Sequence, residues 1–181
     1  LDWRTYEVPY DELAISRKIG EGSFGAAYLA EYHGTQVVAK VLVDSEEANA
    51  GLVMDTHVKI VHREIGILMQ MRHPSILLIM GYTIDSNGLG ILLISEFCAG
   101  GSVFQRVHTD RDITAPAALR IAIQIACAVR FLHCKHVVHR DIKALNVFLL
   151  TKSLDDPVAK LGDFGGARYA EDTRISGRET P

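Results

Sequence analysis

The chain of 181 residues is 48% hydrophobic and 23% charged, with three cysteines and a formal net charge of -3. This length suits one domain or two small lobes, and the mild charge argues against a nucleic-acid partner and against an acidic disordered tail. Because three scattered cysteines are too few for a disulfide framework, and no apolar run approaches the ~20 residues of a membrane span, we expect a reducing compartment and no membrane contact from this segment.

The first half of the sequence reads as short β-strands separated by turn residues. A helix is expected between the third and fourth strands, over His57–Met71, where apolar residues recur at spacings of three and four. His33 and Gly34 indicate a hairpin turn between the second and third strands. The five predicted strands are Ala14–Ile19, Ala26–Glu31, Gln36–Val43, Ile76–Thr83 and Gly90–Phe97.

The second half changes character after Ala99–Gly101, whose two glycines suggest a hinge between two lobes. Ser102 is predicted to cap a short helix, and Thr114 is predicted to cap a long one over Ala115–His133. That long helix is apolar almost all round, so we expect it to be buried. Two further strands are predicted at Val147–Leu150 and Val158–Gly162.

Three glycines with the spacing G-x-G-x-x-G, Gly20, Gly22 and Gly25, lie between the first two predicted strands. In dinucleotide-binding folds this spacing opens a helix, whereas here a strand follows. The strand–loop–strand context favours a hairpin whose backbone N–H groups approach phosphate oxygens. An ordinary glycine-rich hairpin is the alternative.

Two charged residues are predicted to face the interior of the first half. Lys40 stands in an apolar run, and Glu64 shares the apolar side of the predicted helix. Because a buried charge requires a partner, we expect these side chains to pair and to hold the lysine toward a nucleotide's phosphates. The alternative is that both side chains reach solvent.

A dense polar segment, His139–Asn146, separates two apolar runs in the second half. It carries His, Arg, Asp, Lys and Asn within eight residues, which is more chemistry than a turn between two core strands ordinarily contains. A charged hairpin loop is the alternative interpretation of this segment alone.

Taken together, these motifs resemble those of the eukaryotic protein kinases in order and spacing. The resemblance covers almost the whole chain and implies an α+β, two-lobed protein-kinase fold. An N-lobe over 1–97 would hold an antiparallel five-stranded sheet plus one helix, and 98–181 would form the hinge and an incomplete, mainly helical C-lobe. The matching residues are the three glycines, Val38-Ala39-Lys40, Glu64, His139-Arg140-Asp141-x-Lys143-x-x-Asn146 and Asp163-Phe164-Gly165.

The resemblance implies transfer of the γ-phosphoryl group of ATP to serine or threonine hydroxyls of protein substrates in signal transduction. Asp141 would orient the substrate hydroxyl, and Lys143 would neutralise charge on the transferred group. Lys40, paired with Glu64, would contact the α- and β-phosphates. Because phosphoryl transfer needs alignment and positive charge more than covalent help, these residue types suit the reaction.

The cofactors implied are ATP and Mg²⁺. Asn146 and Asp163 would hold the metal, since their oxygens are hard ligands. Ser95 would be the gatekeeper at the back of the adenine pocket. The residues implied to bind ATP are Ile19, Gly20, Gly22, Ser23, Phe24, Gly25, Ala27, Ala39, Lys40, Ser95, Glu96, Cys98 and Phe148.

The subgroup and its regulation are also implied by the resemblance. Lys143, two residues after Asp141, is typical of serine/threonine kinases, and Trp3 and "EFCAGGSV" resemble Raf-like members of the tyrosine-kinase-like group. An arginine beside the catalytic aspartate implies a phosphate on the activation segment, added by an upstream activating kinase. The regulatory residues implied are Arg140, Arg168, Thr173 and Ser176.

The sequence departs from the family pattern in places. Ala27 stands where valine is usual, and Gly166 follows Gly165. The chain begins without Met and stops at Thr180-Pro181, which resembles the start of the family's substrate-positioning loop, so we expect a piece of a longer protein and no competent enzyme from these residues alone. The expected location is cytoplasmic, or the cytoplasmic side of a membrane if the parent protein is a receptor.

Two other function classes compete with an active kinase. The first is a non-catalytic, ATP-binding regulator with a kinase-like fold, although such proteins usually lose one of the catalytic residues. The second is a metal-binding module, because one stretch of the second half carries ligand types suited to zinc. That stretch contains His133, Cys134, His136 and His139.

Overall fold

A computed structural model describes residues 3–22, 25–43, 66, 69–85 and 90–170. The chain forms two compact units, the first made of Leu1–Gln70 and Leu78–Phe97, the second of Met71–Leu77 and Cys98–Pro181. The predicted division at 97/98 therefore misplaces Met71–Leu77. The reason is a strand-like contact within the second unit, where Leu77 N–H donates to the Leu161 carbonyl at 2.9 Å.

The first unit is built on the predicted antiparallel sheet of five strands, which is confirmed, in the order β1-β2-β3-β5-β4. His33 and Gly34, both with positive φ, form the tight turn between β2 and β3. The strands are β1 (Leu13–Gly22), β2 (Gly25–Tyr32), β3 (Thr35–Val43), β4 (Ile79–Asp85) and β5 (Gly90–Glu96).

Two predicted boundaries in the first unit differ from the structure. The fourth strand begins at Ile79 rather than Ile76, because Ile76 instead pairs with Leu161 in the second unit. Most of the helix predicted over His57–Met71 lies outside the described residues, and at its end 69–70 form a turn. A segment before β1 adds a contact that the sequence did not indicate, since Val8 N–H donates to a β4 carbonyl at 2.8 Å.

A buried cluster of the first unit lies on one face of the sheet. Alternate residues of β3 point to this face, as the two-residue period of a strand requires. The buried cluster consists of Val8, Leu13, Ala30, Val37, Ala39, Val41, Leu92 and Ile94.

Within its described residues, the second unit contains two α-helices and four short strands. Helix α1 (Val103–Gln105) continues into a π-helical turn at Arg106–Asp110, and helix α2 covers Ala115–Cys134. The predicted caps are confirmed, since Ser102 Oγ accepts from the Gln105 N–H at 3.1 Å and Thr114 Oγ1 from the Ala117 N–H at 3.4 Å. The strands are β6 (Val137–Val138), β7 (Val147–Leu149), β8 (Ala159–Leu161) and β9 (Arg168–Tyr169), paired as β6–β9 and β7–β8.

Helix α2 is not buried all round, contrary to expectation. Ala128 and Leu132 are fully buried, whereas the side chains of Leu119 and Ile123 on the same helix are 63% and 55% exposed. By length and composition the helix passes the test for a membrane span, against the expectation that no apolar run here would. Gln124 attaches the helix to the rest of the second unit, because its Nε2 donates to the Pro157 carbonyl at 2.6 Å and its Oε1 accepts from the Ala159 N–H at 2.8 Å.

The predicted hinge glycines are tightly held within the second unit. Gly100 N–H donates to the Leu149 carbonyl at 2.9 Å, and Ala99 N–H donates to the Leu150 carbonyl at 3.1 Å. A Cβ on Gly100 would lie 2.7 Å from the Cβ of Leu149, and Gly101 has a φ of +73°. The glycines therefore serve close packing and a left-handed turn onto β7.

Candidate active site

The glycine-rich motif spans the β1–β2 hairpin of the first unit. Gly22 pairs with Gly25 at its tip, and Gly20 pairs with Ala27 further down. Gly25 must be glycine, because its φ is +107° and a Cβ would lie 2.5 Å from the Val41 carbonyl oxygen. At Gly20 a Cβ would meet nothing within 4 Å, so the fold itself does not require glycine there. Open space above this backbone is what close approach of a phosphate needs.

Lys40 lies in a row of paired residues across the sheet. Its neighbours in this row are Ala27 on β2 and Leu93 on β5, and Gly20 is the partner of Ala27 on β1. Side chains directly opposite one another share a face of an antiparallel sheet. The sheet therefore brings the glycine motif, Ala27 and Lys40 to one face, and Lys40 is half-buried there.

The inclusion of Ala39 among the ATP-binding residues is wrong in register. Ala39 is fully buried in the core cluster on the face opposite Lys40. The residue that shares the face of Lys40 is Val38, whose cross-strand partners are Leu29 and Ser95. Counting two residues back from Lys40 along the strand would have found it.

The end of β5 holds the residues predicted to meet the adenine ring from the first unit. Ser95 is 6% exposed, so a small side chain is enclosed at this position. Glu96 is tied to the start of β4, because its N–H donates to the Leu78 carbonyl at 3.0 Å and its Oε1 accepts from the Leu78 N–H at 2.7 Å. Ile19, on β1, is 37% exposed.

His139 is the packing centre of the polar segment in the second unit. Its ring is 2% exposed and lies 4.7 Å from the ring of Phe164, centroid to centroid. Nε2 lies 3.0 Å from the Gly162 carbonyl oxygen, and Nδ1 accepts from the Asp141 N–H at 3.3 Å. This arrangement requires the neutral tautomer with the proton on Nε2. Burial disfavours the charged ring and lowers the pKa of His139.

Asp141 is held by two side chains of its own loop. Lys143 Nζ lies 2.8 Å from Asp141 Oδ2, and Asn146 Nδ2 donates to the same oxygen at 2.9 Å. Asn146 also donates to the Asp141 backbone carbonyl at 2.9 Å. The hydrogen bond from Lys143, followed by that from Asn146, lowers the pKa of Asp141 against the opposing effect of desolvation. The carboxylate is therefore ionised at neutral pH, with one oxygen still available.

The two predicted metal ligands present suitable oxygens. Asn146 is 5% exposed, and its amide nitrogen is engaged by Asp141, which leaves the carboxamide oxygen to ligate. Asp163 adopts a left-handed backbone with φ 58° and ψ 72°, directly before a 3-10 turn at Phe164–Gly166. A carboxylate and a carboxamide oxygen suit Mg²⁺, so these residues fit the implied metal.

Phe148 lies on β7, opposite Lys160, and packs closely on Gly162. A Cβ on Gly162 would lie 3.0 Å from Phe148 Cε2 and 3.1 Å from Leu77 Cδ2. Gly162 is thus a second position that sequence reasoning missed, because it both accepts from His139 and permits this packing. Cys98 is buried, and its carbonyl accepts from the Gly101 N–H at 3.2 Å.

The two predicted phosphate-binding arginines contact carbonyl groups of the segment that follows Asp163. Arg140, with a φ of +66°, donates from Nε to the Gly166 carbonyl at 2.7 Å. Arg168 donates from Nη1 to the Ala167 carbonyl at 2.7 Å. Strand β9 pairs Arg168 with Val138 of β6, so this segment is joined to the strand that leads into the polar segment.

Several predicted site residues lie outside the described residues, and their roles stay predictions. They include the partner proposed for Lys40, the tip of the glycine-rich hairpin and both predicted phosphate acceptors. The residues concerned are Ser23, Phe24, Glu64, Thr173 and Ser176.

The metal-binding alternative finds no support in the part of the chain that the structure describes. No three His, Cys, Asp or Glu side chains come together there as a ligand cluster. His139 instead contacts Phe164 and a backbone carbonyl, and Cys134 is an exposed free thiol. The four residues of that motif thus do not converge on a common point.

Comparison with known proteins places the chain among protein kinases. The model of the protein kinase domain matches residues 13–178. The chain is 33% identical over 172 residues to a RasGEF domain-containing serine/threonine-protein kinase X of Dictyostelium discoideum, 94% of this chain and 16% of that protein. It is 32% identical to the RAF proto-oncogene serine/threonine-protein kinase of Xenopus laevis and 31% identical to serine/threonine-protein kinase CTR1 of Arabidopsis thaliana. These alignments cover 96% and 98% of this chain, but only 25% and 21% of the two relatives.

The structure describes part of the predicted site in each of the two units. Each unit contributes its own set: a glycine hairpin and Lys40 in the first, and Asp141, Lys143, Asn146 and Asp163 in the second. The chain belongs to the protein kinase family, and the relatives that it resembles include Raf and CTR1 serine/threonine-protein kinases.

Proposed function

We propose that the protein carrying this domain is an ATP-dependent kinase that phosphorylates serine and threonine hydroxyls of protein substrates. The observation that carries the proposal is the fixed carboxylate of Asp141, held at 2.8 Å by Lys143 and at 2.9 Å by Asn146. A carboxylate so oriented, with one oxygen available, suits the alignment of a substrate hydroxyl.

The low pKa of Asp141 limits what this residue does. A carboxylate stabilised by Lys143 is a weak base toward an alcohol, so its main contribution is orientation. It takes the hydroxyl proton late, once attack on phosphorus has made that proton acidic. Lys143 is 48% exposed and contacts Asp141 Oδ2, which leaves the other carboxylate oxygen for the substrate hydroxyl. Its positive charge therefore lies next to the acceptor, where it would offset negative charge on the transferred group.

The nucleotide chemistry follows the same division of residues. Bound Mg²⁺ would neutralise charge on the β- and γ-phosphates, and Asn146 and Asp163 would hold it. Lys40, on the same sheet face as the glycine hairpin, would contact phosphate oxygens, and Gly20 would let the backbone approach them. Val38 would contact the adenine ring from that face, in place of Ala39.

Regulation is part of the proposal. Arg140 and Arg168 now donate to carbonyl groups, and a phosphate on Thr173 or Ser176 would be a stronger, charged acceptor for them. An upstream kinase acting in the cytoplasm would supply that phosphate. A Thr173→Ala/Ser176→Ala double variant should lose the activation caused by such a kinase, and equal activity would exclude this role.

The experiment that tests the proposed function is phosphate transfer from radiolabelled Mg-ATP to a generic protein substrate. It uses the longest natural product that contains this sequence, with Asp141→Asn and Asp163→Asn as matched controls that preserve side-chain shape. Transfer should fall about 10³-fold in Asp141→Asn, within the range for loss of a catalytic acid–base group. Nucleotide binding with no transfer in either the native protein or the variants would favour a non-catalytic regulator.

A further inference from the structure

Arg106 is a buried charged residue of the second unit, and the predicted site does not include it. It is 8% exposed and begins the π-helical turn that follows helix α1. Its guanidinium fork binds Asp112, because Nε donates to Oδ1 at 3.0 Å and Nη2 lies 2.6 Å from Oδ2. Nη2 also donates to the Lys152 carbonyl at 3.1 Å. The arginine therefore links the end of α1 both to the segment before helix α2 and to the connection between β7 and β8.

The backbone bends back on itself where this fork forms. The turn Arg106–Asp110 is π-helical, and Arg111 after it has a left-handed φ of +53°. The Asp112 N–H donates to the Arg106 carbonyl at 3.3 Å, so backbone and side chain join the same two residues. Because both conformations are uncommon and cost free energy, the surrounding contacts must maintain them, and the Arg106–Asp112 pair is one of those contacts.

The segment that carries the two hinge glycines lies along β7. The Gly100 N–H donates to the Leu149 carbonyl, and the Leu149 N–H donates to the Gly101 carbonyl, both at 2.9 Å. Ser102 pairs with Phe148 further along the strand. Backbone contacts thus attach this segment to β7 before α1 begins.

Arg106 provides a second attachment after α1. Its side chain reaches the Lys152 carbonyl beyond the end of β7, and both residues line one cavity of about 310 Å³ with Ala99, Gly100 and Gly101. The segment is therefore held by backbone hydrogen bonds at one place and by a buried side chain at another. Two attachments restrict its motion more than one does, because each removes conformational freedom that the other leaves.

The segment held in this way adjoins both adenine contacts that the family resemblance assigns to the second unit. Cys98 precedes it directly, and the Cys98 carbonyl accepts from the Gly101 N–H at 3.2 Å. Phe148 is paired with Ser102 in the same segment. A shift of the segment would therefore move the main chain of Cys98 and the ring of Phe148 together, so Arg106 acts on both of them through it.

The buried ion pair supplies geometry more than stability. Such a pair is weak evidence for stability, because the desolvation of its charges offsets much of their attraction. An apolar side chain at position 106 could fill the same space, but it could bind neither the Asp112 carboxylate nor the Lys152 carbonyl. A planar guanidinium that binds both acceptors fixes their direction and their distance.

We propose that Arg106 is a positioning residue for nucleotide binding, which holds the main chain of Cys98 and the ring of Phe148 in the arrangement that accepts adenine. The proposal rests on the proposed function, because it requires these two residues to meet the base of ATP. The residues predicted to hold the phosphates and the metal are others, Lys40, Asn146 and Asp163. Arg106 therefore serves recognition of the base and not of the triphosphate.

The test compares the affinity of the longest natural product for two ligands, Mg-ATP and Mg-tripolyphosphate. Tripolyphosphate carries the phosphates without the base and the sugar. Arg106→Met should raise the Kd of ATP about tenfold, the size expected from the loss of one hydrogen-bonded contact. It should leave the Kd of tripolyphosphate within about twofold. Equilibrium binding is the readout, so the result does not depend on the phosphoryl-transfer step.

Two aspartates of the same connection provide matched variants. Asp112→Asn weakens the acceptor of the fork, whereas Asp110→Asn makes the same change on a carboxylate 3.7 Å from Arg106 Nε. Asp112→Asn should raise the Kd of ATP in the same direction as Arg106→Met but by less, and Asp110→Asn should leave it unchanged. Because the Asp112 side chain is 42% exposed, its variant keeps the proposal testable if Arg106→Met does not fold.

Amide hydrogen exchange without nucleotide measures the local effect directly. Exchange of the Gly100 and Leu149 amides should be faster in Arg106→Met than in the native protein, since both amides hold the segment on β7. Exchange at the Gln124-bound amide of Ala159, in the same unit, should stay unchanged. Faster exchange at all three amides would indicate general destabilisation and would overturn the positioning role.

The binding outcomes separate the inference from the proposed function. Equal losses for ATP and tripolyphosphate, an unchanged Kd of ATP in Arg106→Met, or equal effects of Asp110→Asn and Asp112→Asn overturn the positioning role and leave the kinase intact. If the native protein neither binds Mg-ATP nor transfers its phosphate, the proposed function fails and the inference fails with it.

Discussion

The two units position their functional groups by different physical means. In the first, cross-strand register brings Gly20, Ala27 and Lys40 onto one sheet face, and regular backbone hydrogen bonds determine where each side chain points. In the second, the groups lie in loops, where left-handed residues such as Arg140 and Asp163 turn the chain and side-chain hydrogen bonds hold it. The first arrangement depends on backbone geometry, and the second depends on individual side chains.

This difference predicts opposite sensitivities in the two units. A side-chain substitution should damage the loop network and its chemistry, whereas the sheet should be most sensitive where the backbone leaves no room for a Cβ. Two pairs of variants and one single substitution test this, beginning with the largest expected effect.

Lys143→Gln should affect activity most, because it removes the cation nearest to Asp141. We expect kcat/KM to fall about 10²-fold or more, the loss typical of one electrostatic contact in a transition state. The pKa of Asp141 should rise, since the hydrogen bond from Lys143 is the largest cause of its depression. The acid limb of the pH profile of kcat/KM should therefore move to higher pH.

The matched comparison for this prediction is Asn146→Ser, which removes a weaker cause of the same shift. Its acid limb should move in the same direction but by less than in Lys143→Gln. An acid limb that stays in place in Lys143→Gln would contradict the assignment of that limb to Asp141.

Gly25→Ala should have the largest effect on the stability of the first unit. Its backbone has a φ of +107°, and a Cβ would lie 2.5 Å from the Val41 carbonyl oxygen. We expect a loss of about 2–3 kcal/mol in the free energy of unfolding, measured by denaturant titration.

Gly20→Ala is the control, because nothing lies within 4 Å of its added Cβ. Its stability should stay within about 0.5 kcal/mol of the native value. Nucleotide affinity should nevertheless fall, since the methyl group would occupy the space proposed for a phosphate. Equal losses of stability in the two variants would show that backbone conformation and the space around an added Cβ do not distinguish these two glycines.

The smallest expected effect concerns pH and His139. Burial lowers its pKa, so below the ordinary histidine value near 6.5 the unfolded chain binds a proton that the folded chain does not. This contribution to stability is fully present above about pH 6.5 and is lost as the pH falls toward the lowered folded value. The melting temperature should therefore decrease between pH 7 and pH 5.

His139→Phe should be less stable at pH 7, because the Gly162 carbonyl loses its donor, but its melting temperature should decrease less steeply with pH. Thermal denaturation of both proteins at several pH values measures the two slopes. Identical slopes would assign the pH dependence to other groups.

The sequence by itself determined the five strands, the helix caps at Ser102 and Thr114 and the order of the kinase motifs, because period, cap chemistry and motif spacing are local properties. Tertiary structure alone decided which residues share a face or a partner. Ala39 and Val38 are both apolar, and only the pairing with β2 and β5 shows that Val38 shares the face of Lys40.

The same limit explains the other differences. Met71–Leu77 joins the second unit because Leu161, far away in sequence, offers it backbone hydrogen bonds. The exposed apolar face of α2 and the role of Gly162 beside His139 also depend on distant neighbours. The amino-acid sequence indicates which side chains require burial or a hydrogen-bond partner. The packing of residues that are distant in sequence decides which residues bury or pair with each of them.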